Sequence, residues 1–147
     1  MGLDASLSSV VSFIISNVPT YTADTCKLQD ESVFEYIQSG VTNYTTCIVV
    51  DYGGFDNMRG GEFRSSMINW RINVNAFFMI TEEYGDAFDA ARLFLENIIL
   101  QVSRNPFLSG GVMGAYASSG REISVYSRGN YRYLMVPLVI EVRDNNS

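Results

Sequence analysis

Length, composition and charge restrict the class of protein before any motif is considered. The chain has 147 residues, 47% hydrophobic and 18% charged, which predicts one domain, residues 1–147, with a core that needs no disulfide or metal. Its formal net charge of −6 argues against a free-standing nucleic-acid binder, because such a protein needs a basic face to displace counterions from phosphates.

Targeting and anchoring segments are not apparent. No run approaches the ~20 apolar residues of a membrane helix. The acidic residue Asp4 stands where a signal peptide needs a basic start. We therefore expect no membrane partner.

The two cysteines, Cys26 and Cys47, do not form a CxxC pair, and the chain contains no histidine. A zinc site with the usual Cys/His spacing is therefore excluded. We interpret both cysteines as small, reduced and partly buried residues.

The first half of the chain predicts two helices and a strand. Apolar residues recur at helical spacing over residues 3–16, and Pro19 ends that helix because it disfavours helical backbone at Val18. Residues 20–30 read as a loop or a short strand. "DESVFEYIQSG", residues 30–40, predicts a second, short helix, and the β-branched and aromatic stretch at 44–52 predicts a strand.

The second half predicts a long strand, a long helix and a closing hairpin. "MINWRINVNAFFMI", residues 67–80, alternates apolar and polar residues with a period of two, which places Trp70 and Phe78 on the buried face. Residues 81–105 predict the main helix, with the apolar stripe Phe88, Ala91, Leu95, Ile98 and Val102. A glycine-rich link at 107–116 precedes strands at 121–127 and 131–142. Pro137 cannot donate to a ladder, so the last strand is expected at a sheet edge or with a bulge.

The order of elements predicts the fold class. We expect an α+β fold with a single mixed or antiparallel sheet of about four main strands. This sheet would pack against the N-terminal helix and the one long central helix.

The stretch "DYGGFDNMRGGEF", residues 51–63, carries two Gly-Gly pairs. A phosphate-binding P-loop needs GxxxxGK[ST] followed by a helix, and a dinucleotide fingerprint must open a helix. Here Glu62 and Phe63 follow the second pair, and a strand comes next. We interpret the glycines as permitting the reversals of a long hairpin.

The residue types required for common catalytic chemistry are not assembled in the sequence. Without a histidine, neither a serine nor a cysteine has its usual general base. The acidic residues Asp30, Glu31, Glu82, Glu83, Asp86 and Asp89 lie at helix beginnings, where carboxylates meet the positive end of the helix dipole. We therefore predict no catalytic, metal or cofactor site, and a protein that is not an enzyme.

Aromatic, methionine and arginine residues concentrate around the glycine-rich stretch. Such residues are enriched at protein interfaces, while ordinary packing against a second core face is the alternative. From this local chemistry we nominate an interface of the following residues: Phe55, Asp56, Met58, Arg59, Phe63 and Arg64. Tyr131, Tyr133 and Met135 form a second, weaker candidate on the last strand.

The chain resembles the tail-terminator, or tail completion, proteins of long-tailed bacteriophages. The resemblance covers nearly the whole chain and lies in the amphipathic first helix, the strand "INWRINVNAFFMI" with the helix after it, and the closing "YRYLMVPLVIEV". It implies a structural virion protein, assembled in the bacterial cytoplasm and found at the head-proximal end of the tail. It further implies a hexameric ring that stops tube polymerisation and binds the tail-tube protein and a head-closure or neck protein. DNA would pass through the ring without specific binding.

Other functions fit the same features. Related head–tail connector, neck and tail-tube proteins share them and differ mainly in copy number per virion. A small carboxylate-site enzyme or a ligand-binding domain is a further alternative, which would require a closed pocket with two facing acids.

Overall fold

The computed structural model describes residues 2–18, 26–28, 46–59, 66–80, 84–108, 114–119, 122–128 and 131–145. Two helices lie within these ranges, α1 (Leu3–Asn17) and α2 (Tyr84–Arg104). The strands are β1 (Cys26–Leu28), β2 (Thr46–Arg59), β3 (Ser66–Met79), β4 (Gly114–Ser119), β5 (Ser124–Arg128) and β6 (Tyr131–Asn145). The short helix predicted at 30–40 lies outside the described residues.

The strands form one mixed sheet, which confirms the predicted α+β class. Its order is β1-β2-β3-β6-β4, with β5 also paired to β6. β1 runs parallel to β2, and the other pairings are antiparallel. The prediction of about four main strands is not matched, since six strands lie within the described residues alone. The glycine-rich link hid β4, whose residues 114–119 are glycine, alanine and serine apart from Tyr116, and these three types are weak strand signals.

Both helices pack on one face of the sheet and enclose the main core. β3 and β6 lie at its centre and pair in register from Met67↔Asn145 to Met79↔Tyr133. Their alternate residues Ile72, Val74, Ile140 and Val142 are fully buried. Phe78 of β3 packs edge-on against Phe94 of α2, with ring centroids 5.9 Å apart. The predicted strand face is therefore the core face, with Phe78 buried and Trp70 partly buried at its margin.

The buried stripe of α2 differs from the predicted one. Its buried residues are Ala87, Ala91, Phe94, Ile98 and Val102, while Leu95 packs partly against the core. Phe88, which we placed in the stripe, is exposed. Ala87 and Phe94 take the core-facing positions, four residues before and three residues after Ala91, and this rotation turns Phe88 outward.

The opposite face of the sheet carries a second, smaller apolar cluster. Val49, Phe77 and Tyr133 are its buried members, and Tyr126 and Met135 pack partly against them. Tyr126 meets Phe77 edge-on at 5.8 Å between ring centroids. Tyr133 and Met135, weighed above as a weaker interface, therefore pack within the protein. The side chain of Tyr131 lies outside the described residues.

Pro137 lies in an interior strand, which corrects the expectation of a sheet edge or a bulge. β3 pairs with it on one side, opposite Asn75. On the other side of β6, the pairing with β5 ends at Met135 and the pairing with β4 starts at Leu138. Pro137 thus falls between two short strands, where neither of them needs the backbone N–H that proline lacks.

Candidate interaction surface

The stretch at 51–63 begins as strand, not as loop. β2 and β3 pair from Thr46↔Phe78 to Arg59↔Ser66, so residues 53–59 extend the strand beyond its predicted end at Tyr52. We call residues 52–59 of β2, with the β3 residues they pair with, the hairpin arm. The arm carries four of the nominated interface residues: Phe55, Asp56, Met58 and Arg59. The other two, Phe63 and Arg64, lie outside the described residues.

The first Gly-Gly pair forms a bulge within β2. It does not reverse the chain, so the prediction of a reversal at this pair was wrong. The register passes from Tyr52↔Ile72 to Gly54↔Arg71, so Gly53 is an extra residue without a partner on β3. Gly54 has φ of +130°, a backbone conformation that side chains with a Cβ rarely adopt. The second pair, Gly60 and Gly61, lies outside the described residues.

The bulge also leaves room for side chains of β3. A Cβ on Gly53 would lie 2.6 Å from Oδ1 of Asn73, and one on Gly54 would lie 2.8 Å from Nη2 of Arg71. The two glycines therefore let Asn73 and Arg71 lie directly over the backbone of β2. This is the use of Gly-Gly that the sequence did not reveal.

The extra residue sets the direction of Phe55. Strict alternation after Tyr52 would place Phe55 on the opposite face of the sheet, and one inserted residue returns it to the face of Tyr52. Tyr52 and Phe55 thereby flank Trp70 on the helix-side face, with centroids 6.3 Å and 5.9 Å from the indole. These three rings form what we call the arm aromatic cluster.

Part of this cluster is open to solvent. Phe55 is 48% exposed and Tyr52 is similarly exposed, whereas Trp70 is partly buried against the core. Aromatic pairs of this kind contribute about 0.5–1.5 kcal/mol beyond their buried area. Trp70 thus holds two exposed rings in fixed positions. Because these rings are already ordered, they would lose less side-chain entropy on binding a partner.

A polar network lies on the opposite face of the same sheet. Nδ2 of Asn69 donates to Oε1 of Glu141 at 2.8 Å. The hydroxyl of Tyr116 is also hydrogen-bonded to Glu141, and this contact raises the pKa of Tyr116. Asn69 is only 4% exposed, and the network therefore ties β3, β6 and β4 together at the level of the arm.

Asp51 of β2 lies on this same polar face, opposite Asn73 of β3. Burial raises the pKa of its carboxyl, and a hydrogen bond with Asn73 opposes that rise. Oδ1 of Asp51 is buried and has no hydrogen-bond partner among the described residues. The carboxylate form is therefore disfavoured at this position.

A second exposed apolar surface lies on α2, and the sequence analysis missed it. Leu93 is 59% exposed and Leu100 is 46% exposed, seven residues apart on the side away from the core. Ile99 is exposed beside them. These residues lie outside the predicted apolar stripe of the helix. A search of the opposite helix face for apolar residues would have found them in the sequence.

An open groove of about 650 Å³ runs along this surface. We call it the α2 groove, and its lining residues are Arg92, Leu95, Glu96, Asn97, Ile99, Leu100 and Ser103. Arg92 forms an ion pair with Asp89 at its rim, an exposed pair worth only a few tenths of a kcal/mol. Apolar side chains at the centre and charges at the rim are typical of protein interfaces.

The thiols are not activated for chemistry. Burial raises the pKa of Cys26 to about 12, with a further contribution from Cys47, and burial raises that of Cys47 to about 11. Both cysteines are free, and both remain protonated thiols near neutral pH.

Two further properties concern the described part of the chain only. Its Cys, Asp and Glu side chains do not come together in any group of three that could hold a metal ion. Neither α1 nor α2 is both long and apolar enough to span a lipid bilayer.

Comparison with known proteins returned no family model and no curated protein that matches this chain.

Proposed function

We propose that this protein is a structural component of a bacteriophage virion, of the tail-terminator type. Six copies would form a ring on the last ring of the tail tube, stop tube polymerisation and join the tail to the head-closure or neck proteins. Assembly would take place in the cytoplasm of the host bacterium. The resemblance of the sequence supports this proposal, and the order of helix, long hairpin, helix and closing strands is in keeping with it.

One structural observation carries the proposal. Within the described residues, two exposed apolar surfaces lie on different elements: the arm aromatic cluster around Phe55 and the α2 groove around Leu100. A two-fold dimer uses the same patch on both subunits, whereas a ring joins two different patches head to tail. Two unlike patches on one small chain are what a ring subunit needs.

The charge of the chain favours a passive role toward nucleic acid. Subunits with a net charge of −6 carry no excess of positive charge with which a ring could hold phosphates, so that DNA could pass through. This supports a ring through which DNA moves during ejection, rather than a protein that binds it.

The test is electron microscopy of the purified protein at high concentration, with its mass measured in parallel. We expect closed rings of about six copies, the closed head-to-tail arrangement that unlike patches permit. Long tubes would instead identify a tail-tube subunit. If the protein is monomeric, purified tube protein is added, and a chain that still forms no ring on the tube ends contradicts the proposal.

A double variant tests the part played by the arm. Changing Phe55→Ser together with Met58→Ser should leave the fold intact and weaken assembly, because both substitutions remove apolar side chains of the nominated interface. Val125→Ser serves as the control, since Val125 is also exposed but lies on β5. Normal ring formation and normal tail yield by the double variant would remove the arm from the proposed function.

A further inference from the structure

We draw no further inference here: the strongest candidate, the α2 groove around Ile99 and Leu100, is an exposed apolar surface on the side of α2 away from the core, and nothing in the structure shows what covers it.

Discussion

Gly54 lies opposite Arg71 in the β2–β3 ladder, and its φ of +130° lets the guanidinium of Arg71 lie over the backbone of β2. The same bulge turns Phe55 to the side of Trp70, where their ring centroids are 5.9 Å apart. A single irregularity in the backbone therefore determines both faces of the hairpin arm. Arg71 lies on the polar face of the arm, and the exposed ring of Phe55 lies on the helix-side face.

Substitution of Gly54 by alanine should destabilise the protein. Its backbone conformation is strained for any residue with a Cβ, so we expect Gly54→Ala to lower the free energy of unfolding by about 1–3 kcal/mol. The contact with Arg71 adds less, because the end of that side chain can move. Urea unfolding measures the change.

Gly85 provides the matched control for Gly54. It lies in the first turn of α2, and a Cβ there would have no heavy atom within 4 Å. Gly85→Ala should therefore raise the free energy of unfolding by up to about 1 kcal/mol. Equal effects of the two substitutions would show that the bulge is not a strained site.

The sequence predicted the elements of the arm but not its form. Alternation over residues 67–80 identified β3, because a period of two repeated over many residues is incompatible with a helix. The same test failed at Gly53 and Gly54, since glycine has no side chain to show which face it occupies. Nothing in the local pattern indicated that Asn73 and Arg71, some twenty residues away in sequence, would fill the space over these glycines.

Both thiols should react slowly in the folded protein. A maleimide reacts with the thiolate, and the pKa values of about 12 for Cys26 and about 11 for Cys47 leave little thiolate at mildly alkaline pH. We expect labelling on the order of a hundredfold slower than in urea-unfolded protein, in which the pKa returns to about 8.5. Rapid modification of either cysteine in the folded state would show that its burial is not maintained in solution.

Asp51→Asn should stabilise the protein near neutral pH. Burial raises the folded-state pKa of Asp51 above its ordinary value of 3.8, so the protonated form fits the folded state better than the carboxylate does. The stabilisation that the protonated carboxyl gives the folded protein is fully present below the unfolded-state pKa. It is lost as the pH rises through the folded-state pKa. The gain from Asn, which is always neutral, should therefore be largest at neutral pH and vanish in acid.

Urea unfolding of Asp51→Asn and of wild type, from acid to neutral pH, measures the difference in the free energy of unfolding. Asp86→Asn is the control, because Asp86 is an exposed acid in the first turn of α2, where its charge is favourable. Its substitution should cost a few tenths of a kcal/mol at neutral pH. Parallel pH curves for wild type and Asp51→Asn would show that Asp51 is solvated in the folded protein.

The two surfaces of the candidate site differed in how far the sequence revealed them. Phe55 was nominated from its neighbours Met58 and Arg59, and the structure places it on the arm with half of its side chain exposed. The exposed apolar surface of α2 escaped prediction because Leu93 and Leu100 lie outside the apolar stripe that identified the helix. Only the packing of α2, with Ala87 and Phe94 turned inward, shows which apolar residues remain outside.

Trp70, the only tryptophan of the chain, should report on the arm by its fluorescence. Phe55→Ala removes one of the rings beside it, so we expect a red-shifted emission and a loss of about 0.5–1.5 kcal/mol in the free energy of unfolding. In wild type, burial of the arm in a neighbouring copy would exclude water from Trp70. The emission should then shift to the blue as the protein concentration rises, and Phe55→Ala should abolish that shift.

Val125→Ala is the control for this fluorescence experiment. Val125 pairs with Leu134 at one end of β6, whereas Trp70 pairs with Val142 near the other end. The substitution should leave both the emission of Trp70 and its concentration dependence unchanged. If light scattering shows wild-type assembly while the emission stays constant, the arm lies outside the contact, and subunits must associate through another surface of the chain.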